Sequence, residues 1–240
     1  MYLRNVILVA IVLAMASFAQ PTVGTGPALV TGLASVPSTL DAPFLVRYAA
    51  NLGSGESYID ITNDGANGAS TIGPGLGPQT GNICANVYAI DPNEELVSCC
   101  SCLLTPDQTI HLGAVANLIN NTETGKTPTS ITIKLLASVG AGSTSPTSCA
   151  NSASLVGNSV GLTPDLPIAP FGMLAWGTTI HLSPGSTTAY TETESPFLPG
   201  TLSVLEVESL SDRCAQIIGN ASGSGICPQC VLGALGAAKI

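Results

Sequence analysis

The sequence predicts a mainly β protein: an antiparallel β-sandwich, Ig-like or jelly-roll-like, stabilised by disulfides and carrying one C-terminal amphipathic helix. Three observations predict it. Short runs of β-branched and aromatic residues recur from Phe44 onward between turn signals. The 26 Gly and 17 Pro of the 240-residue chain interrupt it too often for long helices. Only one segment, near the C-terminus, has an apolar period close to 3.6.

The strands are read at 44–50 (FLVRYAA), 57–63 (SYIDITN), 82–91 (NICANVYAID), 95–104 (ELVSCCSCLL), 108–117 (QTIHLGAVAN), 129–138 (TSITIKLLAS) and 174–183 (LAWGTTIHLS). Turns separate them for physical reasons. Asp64-Gly65 supplies a residue tolerant of positive φ, and Pro92-Asn93 and Pro106-Asp107 preset φ at the first turn position. Gly125 punctuates the next connection. Tight consecutive turns predict an antiparallel meander, because parallel strands would need long crossovers. Two Gly-rich or polar stretches, 65–81 and 139–170, interrupt the pattern. Loops of that length are uncommon unless functional, disordered or stapled, and Cys149 points to a staple in the second.

At Ser203 the pattern becomes helical. Ser203-Val204-Leu205-Glu206 has the form of a capping box, and Val204, Val207, Leu210, Cys214 and Ile217 recur at helical spacing before Gly219-Asn220. A helix over 203–219 is predicted, with Cys214 on its buried face. No internal repeat and no second core is visible, so residues 44–240 read as one domain with a cysteine-rich tail.

Residues 1–19 read as a signal peptide. Arg4 precedes the apolar run Val6–Ala16, and Ser17-Phe18-Ala19 offers small residues for cleavage after Ala19. The run is shorter than the roughly 20 residues a spanning helix needs, so no transmembrane segment is expected after cleavage. Residues 20–43 read as a flexible leader or an edge strand; within them 27–40 (PALVTGLASVPSTL) has the composition of a donor strand for a neighbouring subunit.

Export makes the cysteines informative. Cys84, Cys99, Cys100, Cys102, Cys149, Cys214, Cys227 and Cys230 are even in number, and an oxidising compartment favours disulfides. If Asp91 faces Glu95 across the Pro92-Asn93 turn, Cys84 faces Cys102, which predicts a Cys84–Cys102 bridge or the diagonal Cys84–Cys100. Adjacent Cys99 and Cys100 point to opposite faces of a strand and need different partners. The later cysteines are expected to tie the second half of the chain to this hairpin. The C-x-x-C of Cys227–Cys230 lacks the βαβ context of a redox motif. Zinc held by Cys99, Cys100, Cys102 and that pair is disfavoured by the compartment.

Composition excludes whole classes. Six Lys plus Arg against 15 Asp plus Glu, a formal net charge of −9, argues against nucleic acid as a partner. His111 and His181 lie in similar strand contexts, TIHLG and TIHLS, and either could work with a carboxylate in a secreted hydrolase. No G-x-S-x-G nucleophile elbow accompanies them, so the sequence favours a non-enzymatic role. Asp60, Thr62, Asp64 and Gly65 echo the start of a calcium loop without its terminal Glu. Asp64, Asn67 and the Asp91/Glu94/Glu95 turn are the candidate Ca²⁺ ligands; no other cofactor is expected. Trp176, His181, His111 and Tyr190 are the candidate ligand-binding residues. Leu198-Pro199-Gly200-Thr201 starts like a cell-wall sorting signal, but Leu202 and the following sequence break the pattern. Asn120-Asn121-Thr122 and Asn220-Ala221-Ser222 fit the glycosylation acceptor pattern in a eukaryotic setting.

The stretches GNICANVYAIDPNEELVSCCSCLLTP (Gly81–Pro106), TGKTPTSITIKLLAS (Thr124–Ser138), AWGTTIHLS (Ala175–Ser183) and RCAQIIGNASGSGICPQC (Arg213–Cys230) resemble a family of uncharacterised, predicted secreted proteins of acidobacterial type. The Cys-Cys-x-Cys run, the Trp-Gly-Thr-Thr segment and the C-terminal Cys pair occur in the same order. The resemblance implies export and a cysteine-linked architecture, and brings no catalytic residues.

Together these readings predict a secreted or cell-surface protein of structural or adhesive role, associating with itself as a filament or matrix subunit or with the extracellular matrix or cell envelope. A surface poor in charge favours such contacts, because few charges must be desolvated. The alternatives are a carbohydrate- or Ca²⁺-binding module and a secreted hydrolase.

Overall fold

Asp91-Pro92-Asn93-Glu94-Glu95 forms a tight hairpin because each residue has a job in it. The Asp91 carboxylate accepts from the backbone N–H of Asn93 and Glu95, Pro92 fixes φ, and Glu94 takes the left-handed conformation at φ 67°. The hairpin joins two strands of one sheet in a computed structural model that describes residues 43–69, 80–138, 149, 172–183, 185–187 and 189–227. These all belong to one compact unit spanning Pro37–Ile240. The signal peptide 1–19, the leader 20–43 up to residue 42 with its donor segment, most of 65–81 and 139–170, and Cys230 lie outside the described residues.

Among the described residues nine strands and one long helix follow in order: β1 (Phe44–Ala49), β2 (Tyr58–Asn63), β3 (Ile83–Ile90), β4 (Leu96–Leu104), β5 (Thr109–Gly113), a π-helical turn (Ala114–Ile119), β6 (Ile131–Ser138), β7 (Met173–Leu182), β8 (Tyr190–Pro196), β9 (Leu198–Pro199) and α1 (Val204–Gly219). They build two antiparallel sheets, β4-β3-β6-β1-β9 and β5-β2-β7-β8. The predicted sandwich is therefore present, and all seven predicted strands form. The predicted meander does not. Among the described strands only β3–β4 and β7–β8 pair with their sequence neighbours; the other connections cross between sheets, because each amphipathic strand must place its apolar face in the one shared core.

That core is filled by alternate residues of both sheets, among them Leu45, Ile59, Ile61, Val87, Ile133, Leu135, Met173, Ala175 and Phe197. The two sheets differ on their outer faces. In β3, β4 and β6 almost every residue is buried, as expected of strands covered on both sides. The cover is α1: Val207, Leu210, Cys214 and Ile217 pack on Phe44, Tyr88, Leu96, Cys99 and Leu136. Ser203 caps the helix by accepting from the Glu206 N–H, and Glu206 forms an ion pair with Lys134 of β6. Burial among these groups raises the pKa of Tyr88.

The predicted strand 108–117 is corrected at its end. The backbone leaves the sheet after Gly113 because the Glu56 carboxylate captures the N–H groups of Val115 and Ala116, while Asn117 Oδ1 accepts from Gly113. The predicted Cys84–Cys102 and Cys84–Cys100 bridges are also corrected. Ile90 faces Leu96, but Ala89 faces Ser98, so a bulge at Val97 shifts the register by one residue. Cys84 then lies opposite Leu103, and Cys102 turns to the other face.

The bridges are Cys84–Cys149, Cys99–Cys214 and Cys100–Cys227, with Cα–Cα distances of 5.7, 5.9 and 5.4 Å, and Cys102 is disulfide-bonded as well. Cys99 and Cys100 do take partners on opposite faces: one bridge fastens α1 to the outside of the sheet, the other enters the core. All three tie later segments to the β3–β4 hairpin. These disulfides, with no described helix long and apolar enough to cross a membrane, are compatible with an extracellular protein.

Candidate functional site

Because α1 covers the five-stranded sheet, the outer face of β5-β2-β7-β8 is the sheet face left uncovered among the described residues. Period-two alternation decides what it presents. In β2, Ile59 and Ile61 point inward and Tyr58, Asp60 and Thr62 outward. Register then places His111 of β5, Asp60 of β2, Trp176 of β7 and Pro196 of β8 in one row across the sheet. The next row holds Tyr58, Thr178 and Glu194, and the row on the other side Thr109, Thr62 and Leu174.

Direct contacts order this row and link it to its neighbours. His111 Nδ1 donates to Asp60 Oδ1 at 2.6 Å, with 56% of the His side chain and 36% of the Asp side chain exposed. The His111 ring stacks on Tyr58, centroids 4.8 Å apart and planes 30° from parallel. Thr62 and Thr109 hydroxyls share a hydrogen bond of 2.7 Å. From His111 to Trp176 is two strand spacings, about 10 Å. The result is a strip of outward-facing side chains that combines aromatic rings, an oriented imidazole, a carboxylate and hydroxyls.

Of the predicted ligand residues, His111 and Trp176 are thus brought together. His181 is not with them. It lies an odd number of residues from Trp176 along β7 and faces the other side of the sheet, where its Nδ1 meets Asn51 Nδ2 at 3.1 Å. The two histidines do not converge. Tyr190 shares the outer face but pairs with Leu182, about 20 Å along the strands from Trp176. Tyr58 was not singled out in the sequence; the alternation of SYIDITN is the signal that places it beside Asp60.

The Ca²⁺ candidates lie in turns. Asp64 accepts from the Ala66 N–H, Asp91 from Asn93 and Glu95, and Glu94 offers its backbone carbonyl to Arg213. Among the described residues no group of three or more His, Cys, Asp or Glu is placed to hold a metal ion. Asn67 and Glu95 join no such group.

A second feature lies at the β1/β8 side of the sandwich. Arg47 points inward from β1, and its guanidinium donates to Ser195 O at 2.7 Å, Ser195 Oγ at 2.5 Å and Thr179 Oγ1 at 2.9 Å. It sits 5.9 Å from the Phe197 ring centre, and burial lowers its pKa. A cleft of about 450 Å³ opens beside it, lined in part by Val46, Tyr48, Pro196 and Leu198. Gly177 makes the clamp fit: a Cβ there would lie 2.2 Å from Arg47 Nε. Arg47 therefore stitches one sheet to the other. No protein-family model, no curated protein and no solved structure matches this chain.

Proposed function

We propose that this is an exported adhesive domain, secreted or held at the cell surface, that binds glycan through the outer face of the four-stranded sheet. The observation that carries the reading is the outward-facing row His111–Asp60–Trp176, with His111 exposed, Asp60 and Trp176 half-buried, and Tyr58 stacked on His111. Aromatic rings present apolar area at low entropic cost and a polar edge for hydrogen bonds, which suits the flat C–H face of a sugar ring. Asp60, His111 and Thr178 are placed to meet hydroxyls around it. The Asp60–His111 bond holds both side chains in position before a ligand arrives, which lowers the ordering cost of binding.

The disulfide bracing fits work outside the cell, where chaperones and reductants do not rescue an opened domain. The test is co-sedimentation with insoluble polysaccharides (cellulose, chitin, peptidoglycan sacculi). The intact protein should sediment with at least one of them, and Trp176→Ala and Tyr58→Ala should each weaken that binding at least tenfold while leaving the melting temperature within a few degrees. Binding that survives both substitutions unchanged would remove the sheet face from the account.

A further inference from the structure

The sheet edges differ in how they end. The β4 edge is covered: Cys99 N–H bonds Gly225 O, Ile226 bridges Cys99 in parallel, and Glu123 N–H bonds the bulged Val97 O. On the other side of that sheet, β9 has two residues and ends in Pro199. β5 has five residues and runs into the π-helical turn. β8 is different: seven residues, the first five exposed, paired only with β7 among the described strands.

Its hydrogen-bonding parity is fixed by its neighbours. Phe197 N–H bonds Ala175 O and Ser183 N–H bonds Ala189 O, so odd-numbered positions turn their backbone groups toward β7. The N–H and C=O groups of Tyr190, Glu192 and Glu194 therefore point outward, away from the sheet. An edge of this kind is a template for another strand.

From this we infer that β8 is an edge poised to pair antiparallel with a second copy about a two-fold axis at Thr193, and that Glu192 and Glu194 block this pairing in the unsubstituted chain. The occupant is a second copy because Tyr-Thr-Glu-Thr-Glu-Ser-Pro (190–196) is close to palindromic about Thr193, and a two-fold interface must be self-complementary. With Thr193 opposite its own copy, Thr191 meets Ser195 and Thr193 meets Thr193 on one face, favourable hydroxyl pairs. On the other face Tyr190 meets Pro196 at both ends. Only the centre conflicts, where Glu192 faces Glu194 twice, putting four carboxylates together. Within one chain Glu192 and Glu194 lie opposite Ile180 and Thr178, which offer no compensating cation. Like charges directly opposite across strands are destabilising.

The inference stands independently of the glycan reading, since it needs only the β8 edge. Sedimentation velocity on the full protein at micromolar concentration and low salt tests it by charge swap. Glu192→Lys places a Lys opposite Glu194 at both central positions and should shift the protein to a dimer, at least tenfold tighter in Kd than the unsubstituted chain. Glu192→Lys/Glu194→Lys restores repulsion and should return it to the monomer. Glu192→Gln/Glu194→Gln should dimerise to an intermediate degree, and Glu192→Gln/Glu194→Pro should not, because Pro removes an outward N–H while sparing the β7 ladder. Near-native melting temperatures for the charge variants establish that they are folded. Equal association for Glu192→Lys and Glu192→Lys/Glu194→Lys, or association undiminished by Pro at 194, overturns the inference.

Discussion

Replacing Gly177 by alanine is expected to cost about 2 kcal/mol, although the change adds one methyl group to a strand. A Cβ at this position lies 2.2 Å from Nε, 2.5 Å from Cδ and 2.6 Å from Cζ of Arg47, so the guanidinium must leave. Three hydrogen bonds go with it, to Ser195 O, Ser195 Oγ and Thr179 Oγ1. At about 1 kcal/mol net each, their loss is about 3 kcal/mol, and removing a strand glycine returns about 0.5–1 kcal/mol. Urea denaturation followed by circular dichroism measures the difference. In an Arg47→Ala background the same Gly177→Ala change should be neutral or stabilising, because nothing is left to displace. That reversal of sign is the decisive part. An equal cost in both backgrounds would show that the strand, and not the Arg47 clamp, rejects the methyl group, and the stitching role would be wrong.

Three further outcomes follow from single contacts. Cys99→Ala/Cys214→Ala opens a loop of 115 residues and should lower stability by about 2–5 kcal/mol, with hydrogen exchange accelerated first in α1; uniform acceleration would contradict the placement of that bridge. Ser203→Ala removes the helix cap and should cost about 1 kcal/mol by urea denaturation. Glu94→Gly relieves a non-glycine residue at φ 67° and should raise stability by about 1 kcal/mol, with the Arg213 bond to its carbonyl retained.

Much of this architecture was legible because it rests on local patterns. The alternation in SYIDITN located β2 and its outward set, and the spacing of Val207, Leu210, Cys214 and Ile217 located α1 with Cys214 inside. What escaped reading depends on residues distant in sequence or on the absence of any pattern. β8 has no apolar face, since Tyr190–Glu194 are exposed on both sides of the strand, so hydrophobic periodicity has nothing to detect. The end of β5 is set by Glu56, more than fifty residues earlier. The partner of Cys84 turned on the single bulge at Val97, one inserted residue that flips a side chain to the other face. The candidate site was half visible: Trp176 and His111 stood out by type, but only the register across three strands joins them to Asp60 and Tyr58 and sends His181 away.

Trp176 is the sole tryptophan of the chain, so its fluorescence reports the sheet face without a label. Titration of the intact protein with soluble oligosaccharides of whichever polysaccharide it sediments with tests the central claim most directly. Saturable change in Trp176 emission, with protection from acrylamide quenching and loss of both on Tyr58→Ala or Asp60→Ala, is the predicted result. Sedimentation with the polysaccharide while Trp176 emission and quenching stay unchanged would place the ligand elsewhere and contradict the account.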